Sequence, residues 1–181
     1  MAEPRKLSFD PVAQAREMWQ ARGWGSAASG MATVTSIMRA HQLLLARAND
    51  VVRPLGLTFA RYEVLAWLAW NQECGSLSLS QIGERLQVSP ATVTNAIDRL
   101  EADGLVRRVP HPSDARSTLA EITDAGLTLV GAATEELNAK VFETVTLSPD
   151  EMQSLFSLLL KLRLDVGDFA SRIDERVLLS D

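Results

Sequence analysis

The chain has 181 residues, 46 % hydrophobic and 23 % charged, with a formal net charge of −5, the balance of a soluble globular chain with one substantial core. Its longest apolar stretch, 155–164, is broken by Lys161 and Arg163, and its start (MAEPRKLSFDP) has charges but no apolar core, so neither a membrane span nor a secretory leader is expected. A single cysteine, Cys74, forms no internal disulfide, which fits a reducing cytoplasm.

Residues 10–22 predict a short helix, with Asp10 as N-cap and Pro11 at its first position. Gly23-Trp24-Gly25-Ser26 should break it. A long helix is predicted over about 30–53. Its seam of Met31, Val34, Met38, His41, Leu45, Ala48 and Val52 steps by three and four, widened by Ile37, Leu44 and Val51. Pro54 and Gly56 end it. Thr58 can cap a helix over 59–71 that buries Val64, Leu65 and Leu68. A loop at 74–76 and a short strand at 77–79 follow, then a short helix capped by Ser80 and ending near Leu86. Gln87 and Val88 turn the chain. Ser89 caps the next helix, Pro90 opens it, and Gly104 stops it after Asp103. Residues 105–109 and 118–122 read as a hairpin with 110–117 as its loop. Thr123 caps a helix over about 124–145. Ser148-Pro149-Asp150-Glu151 opens the last one. In that helix Met152, Leu155, Leu159, Leu162, Val166, Phe169 and Ile173 repeat the three–four step, and Leu158, Leu160 and Leu164 make it apolar nearly all round. Such a helix needs cover, which a partner subunit would supply.

Two short helices, a tight turn and a hairpin are the layout of a winged helix-turn-helix. The segment 79–126 carries it: LSQIGERLQVSPATVTNAIDRLEADGLVRRVPHPSDARSTLAEITDAG. The runs LSQIGERLQVSPATVTNAIDRLEADGLV, PSDARST and ITDAG resemble those of MarR-type transcriptional regulators, a likeness that covers about 31–169. The resemblance implies a fold that is mainly α with a small β-hairpin wing: a winged helix-turn-helix plus a helical dimerisation domain. The expected organisation is N-terminal dimerisation helices at 1–56, the DNA-binding lobe at 57–122 and C-terminal dimerisation helices at 123–181. It further implies a homodimer that reads a pseudo-palindromic operator in double-stranded DNA, and release by a small ligand, commonly an aromatic acid or phenol. Two departures stand out. Gly83 sits where Ala is usual, at a cost of about 0.5–1 kcal/mol, and the segment before Met31 is longer than the family minimum.

On the helix after Ser89, Val93, Ile97 and Leu100 form the buried stripe. Ser89, Ala91, Thr92, Thr94, Asn95 and Arg99 fall on other faces and are the candidate DNA contacts. Asn pairs bidentately with adenine, and Ala or Thr methyls meet the thymine methyl. Arg116 on the hairpin loop suits the narrow minor groove, with Asp114 to orient it and Pro110 and Pro112 to stiffen the loop. Arg107 and Arg108 are candidate phosphate contacts. The plainer readings are a solvated helix face and a surface ion pair on a turn. For a ligand pocket the candidates are His41 as donor, Arg39 or Arg47 as carboxylate partner, and Tyr62, Trp67 and Trp70 as aromatic walls. Their plainer reading is interface and core packing. Cys74, beside Glu73, lacks the basic setting of a redox sensor and reads as a bystander.

Two His and one Cys, widely spaced, assemble neither a metal site nor a nucleophile–base pair, so no cofactor and no enzyme activity are expected. Charge is uneven. Residues 1–58 hold seven Lys/Arg and four Asp/Glu, residues 81–122 five and six, residues 123–170 three and eight. The acidity thus lies outside the proposed DNA module, but the module itself is no basic patch. The expected function is a dimeric, ligand-released repressor; the alternative is a winged-helix protein–protein interaction module that binds no DNA.

Overall fold

The computed structural model describes residues 7–71, 76–113 and 118–169. The chain divides into two compact units, residues 1–143 and 144–181.

In the first unit α1 (Pro11–Ala21) begins where Asp10 accepts a hydrogen bond from the Val12 amide at 2.9 Å. The expected break shrinks to Arg22–Trp24, and α2 (Gly25–Val52) starts five residues earlier than predicted. The Trp24 amide donates to the Trp19 carbonyl, its own carbonyl accepts from Ala27 and Ala28, and the two indoles meet edge-on at 5.5 Å. Gly25 and Ser26 therefore fall in a first helical turn, where no backbone bond is lost. Only Ala28, Ala48 and Val52 of α2 are buried, and most of the predicted seam faces outward, Met38 at 60 % exposure. A short 3-10 turn, Arg53–Leu55, closes on Gly56 at φ 76°.

Thr58 caps α3 (Phe59–Trp70), which buries Tyr62, Val64, Leu65, Ala66 and Leu68. The cap of α4 (Leu79–Leu86) is Ser78 rather than Ser80. β1 (Ser76–Ser78) ends one residue sooner than predicted, and Ser78 forms a reciprocal capping box with Gln81. Gln87, at φ 54°, makes the tight turn. Ser89 then caps α5 (Pro90–Ala102) as predicted.

The sheet has the order β1-β3-β2, all antiparallel, with β2 spanning Val106–Pro110 and β3 Thr118–Ile122. Leu105, predicted as strand, belongs to the end of α5, because its amide donates to the Leu100 carbonyl while Gly104 turns left-handed. Thr123 staples the next helix to this corner. Its hydroxyl donates to the Gly104 carbonyl, its amide to the Leu105 carbonyl, and it caps α6 (Asp124–Leu137). A Cβ on Gly126 would stand 2.3 Å from the Leu105 carbonyl oxygen, so only glycine fits there. The predicted α-helix to residue 145 gives way at Asn138–Phe142 to a π turn. One core joins Val52, Leu65, Leu68, Ile82, Ile97, Leu100, Val106, Ala120, Val130 and Leu137.

The second unit contains α7 (Pro149–Asp165), opened by the Ser148–Glu151 capping box. None of its residues is buried. It carries Met152, Leu155, Leu159 and Leu162 of the predicted seam but stops before the seam's end, and Gly167 just beyond it takes φ 78°; Ile173 lies outside the described residues. Among the described residues no helix is long and apolar enough to cross a membrane.

Candidate nucleic-acid interface

Helix α5 is held by one face and presents the other. Val93, Ile97 and Leu100 are buried, while Ser89, Ala91, Thr92, Thr94, Asn95 and Arg99 are all exposed. The hydroxyls at its start are preorganised: Ser89 Oγ lies 2.9 Å from Thr92 Oγ1, and Thr94 donates to the Pro90 carbonyl at 3.0 Å. The positive end of the helix dipole falls at this same hydroxyl-rich start, which favours a phosphate nearby. Arg61 of α3 anchors the other end. Its Nη1 reaches Asp103 at 3.0 Å and its Nη2 the Gly56 carbonyl at 2.6 Å.

The two arginines of β2, indistinguishable in sequence, stand in different settings. Arg107 faces Glu121 across the hairpin, with contacts of 2.8 and 3.2 Å, and remains mostly solvated. Its hydrogen bond and charge hold the Glu121 carboxyl below the usual range. Arg108 is drawn inward between Asp98, at 2.5 Å, and Glu101, both on α5. The Glu101 carboxylate also accepts the Arg108 backbone amide at 3.1 Å. Asp114 and Arg116 lie outside the described residues, as does Cys74.

The six candidate ligand residues do not converge. Arg39 and Arg47 line a groove of about 910 Å³ between α2 and α6, with Asp50, Glu135, Glu136 and Lys140. Tyr62, Trp67 and Trp70 line a separate cleft of about 680 Å³ along α3, with Phe59, Glu63 and Arg85. His41 lines neither and is exposed on α2. The sequence reading missed Glu63 and Arg85. Glu63 was visible as the one acid in a mostly apolar helix, and burial pushes its carboxyl pKa up. Arg85 arrives from α4, its guanidinium 5.6 Å from the Trp67 ring centre, a proximity that spacing along the chain does not encode. Among the described residues no cluster of three or more His, Cys, Asp or Glu is disposed to hold a metal.

A family model described as MarR family matches residues 55–117. Sco5413, a MarR family transcriptional regulator from Streptomyces coelicolor, is 47 % identical to this chain, with a TM-score of 0.71 over 79 % of this chain and 99 % of that one. The chain belongs to the MarR family. A cysteine-to-serine variant of MarR from Escherichia coli, solved in complex with operator DNA, is 25 % identical, with a TM-score of 0.65 over 71 % of this chain and 91 % of that one. The transcriptional regulator PecS of Dickeya dadantii is 36 % identical over 95 residues, 52 % of this chain but only 57 % of PecS, so that likeness stops short of the whole relative. As a MarR-family member, this chain is a winged-helix transcriptional regulator, and residues 55–117 hold every candidate DNA contact named above.

Proposed function

We propose that the chain is a sequence-specific DNA-binding repressor that acts as a homodimer and leaves its operator when a small aromatic ligand binds. The observation that carries the DNA reading is the division of α5: an apolar stripe sunk in the core and an outer face on which Ser89, Thr92, Thr94, Asn95 and Arg99 are all exposed. Such a face meets base edges through Asn95 and the Thr92 and Thr94 methyls, and phosphates through Ser89 and Arg99. Arg116, oriented by Asp114, would enter the neighbouring minor groove. The operator-bound relative supports this use of the fold.

The outward apolar residues of α2, Val34, Met38 and Leu45 among them, and the unburied leucines of α7 support a second copy as their cover. The α3 cleft supports an aromatic ligand: Tyr62, Trp67 and Trp70 offer ring faces and Arg85 a cation. Arg39, His41 and Arg47 drop out of that role. Ligand shifts the protein off DNA only by binding one lobe spacing more tightly than the other.

The test is binding of the full chain to the DNA flanking its own coding region, in competition with random duplex at physiological salt. Selective, salt-sensitive binding is expected. Equal affinity for both duplexes would favour an interaction module without a DNA role.

A further inference from the structure

We infer that Arg108 does not contact DNA but is a positioning residue that fixes the wing strand to the recognition helix. The inference rests on the DNA-binding reading above.

β2 is an edge strand, paired only with β3. Opposite Arg108 on β3 lies Ala120, fully buried. The Arg108 backbone amide does not enter the ladder; it donates to Glu101 at 3.1 Å. The Arg108 guanidinium then forks, Nη1 to the same Glu101 and Nη2 to Asp98 one turn earlier on α5. One residue therefore ties strand to helix by main chain and side chain together. Its side chain is 27 % exposed, against 65 % for Arg107. A guanidinium that donates to two carboxylates is poorly placed to donate to a phosphate as well. The tie leaves the angle between α5 and the hairpin little freedom.

That angle matters because a winged lobe reads DNA with two elements at once, the helix in the major groove and the hairpin beside it. If the hairpin swings relative to α5, only one of them can dock in register. A loose lobe would still be attracted to phosphates, so it would lose selectivity more than general affinity. The same clamp neutralises Asp98 and Glu101, two acids on the reading helix that would otherwise repel the duplex.

The test is Arg108→Lys, measured against the parent protein. Lysine keeps the charge and serves well as a phosphate contact, but it lacks the fork that spans two carboxylates. Affinities are measured for the parent's preferred duplex and for random duplex across a salt series, with thermal unfolding of each protein alongside. Arg108→Lys is expected to lower the selectivity ratio by about tenfold, the weight of one charge-assisted hydrogen bond. Affinity for random duplex and the slope against log salt should stay as in the parent. An unchanged ratio for Arg108→Lys, even with a lower melting temperature, would reduce Arg108 to a structural role and overturn the inference. So would equal weakening on both duplexes with a shallower salt slope, the mark of a direct phosphate contact. A parent protein without selectivity would instead overturn the DNA-binding reading, and this inference with it.

Discussion

At the scale of single residues, Gly126 shows how one atom decides a junction. The Leu105 carbonyl occupies the place of its Cβ, so Gly126→Ala must move either α6 or the end of α5. A loss of about 1–3 kcal/mol is expected from overpacking and can be read by chemical denaturation. Gly83 behaves oppositely. A Cβ there would meet Val88 O and Val93 Cγ2 at 3.4 Å, ordinary contact, so Gly83→Ala should gain up to about 1 kcal/mol in the same assay. Glu63 sets a pH dependence. Burial raises its folded pKa, so its protonated form favours folding. That contribution is complete below the unfolded carboxyl range and is lost as pH rises through the raised value. Glu63→Gln should therefore raise the unfolding midpoint at pH 7.5, and the gain should shrink toward pH 5.

Elements were legible where local chemistry names their ends. Thr58, Ser89, Thr123 and Ser148 cap the helices they were expected to cap, because each side-chain oxygen accepts a hydrogen bond from the amide three residues on. Ser80 failed because a serine two residues earlier had the same chemistry and a strand to end. The start of α2 was hidden by Gly25, which looks like a breaker but lies where a helix tolerates it. The stripe of α5 was legible from periodicity alone. What spacing does not carry is which arginine meets which acid: Arg61 with Asp103 is a pairing 42 residues apart, and Arg107 and Arg108 diverge only once β2 lies against α5. Arg39 and Arg47 of α2 and the aromatic residues of α3 part for the same reason, since they line different clefts. For α5 itself, Asn95→Ala is expected to weaken binding to the preferred duplex by about 1–3 kcal/mol and to relax selection at one base pair, with random-duplex affinity unchanged. Titration against single-base variants of that duplex checks it.

Across the whole molecule, the net charge of −5 gives a poor picture of the DNA face. Of the six acids in 81–122, Asp98, Glu101, Asp103 and Glu121 are engaged by Arg108, Arg61 and Arg107. These four carboxylates thus each meet a cation within the protein. The outward apolar face of α2 bears on assembly. Replacing Met38 and Leu45 together by Asp should give one-chain particles in sedimentation, where the parent gives two, and should abolish selective DNA binding. The most direct measurement is selection from a random pool of duplex DNA by the full chain at physiological salt. Enrichment of an inverted repeat with half-sites about one helical turn, roughly 34 Å, apart is the predicted result. A pool that comes through without an enriched motif would contradict the claim that the outer face of α5 reads sequence.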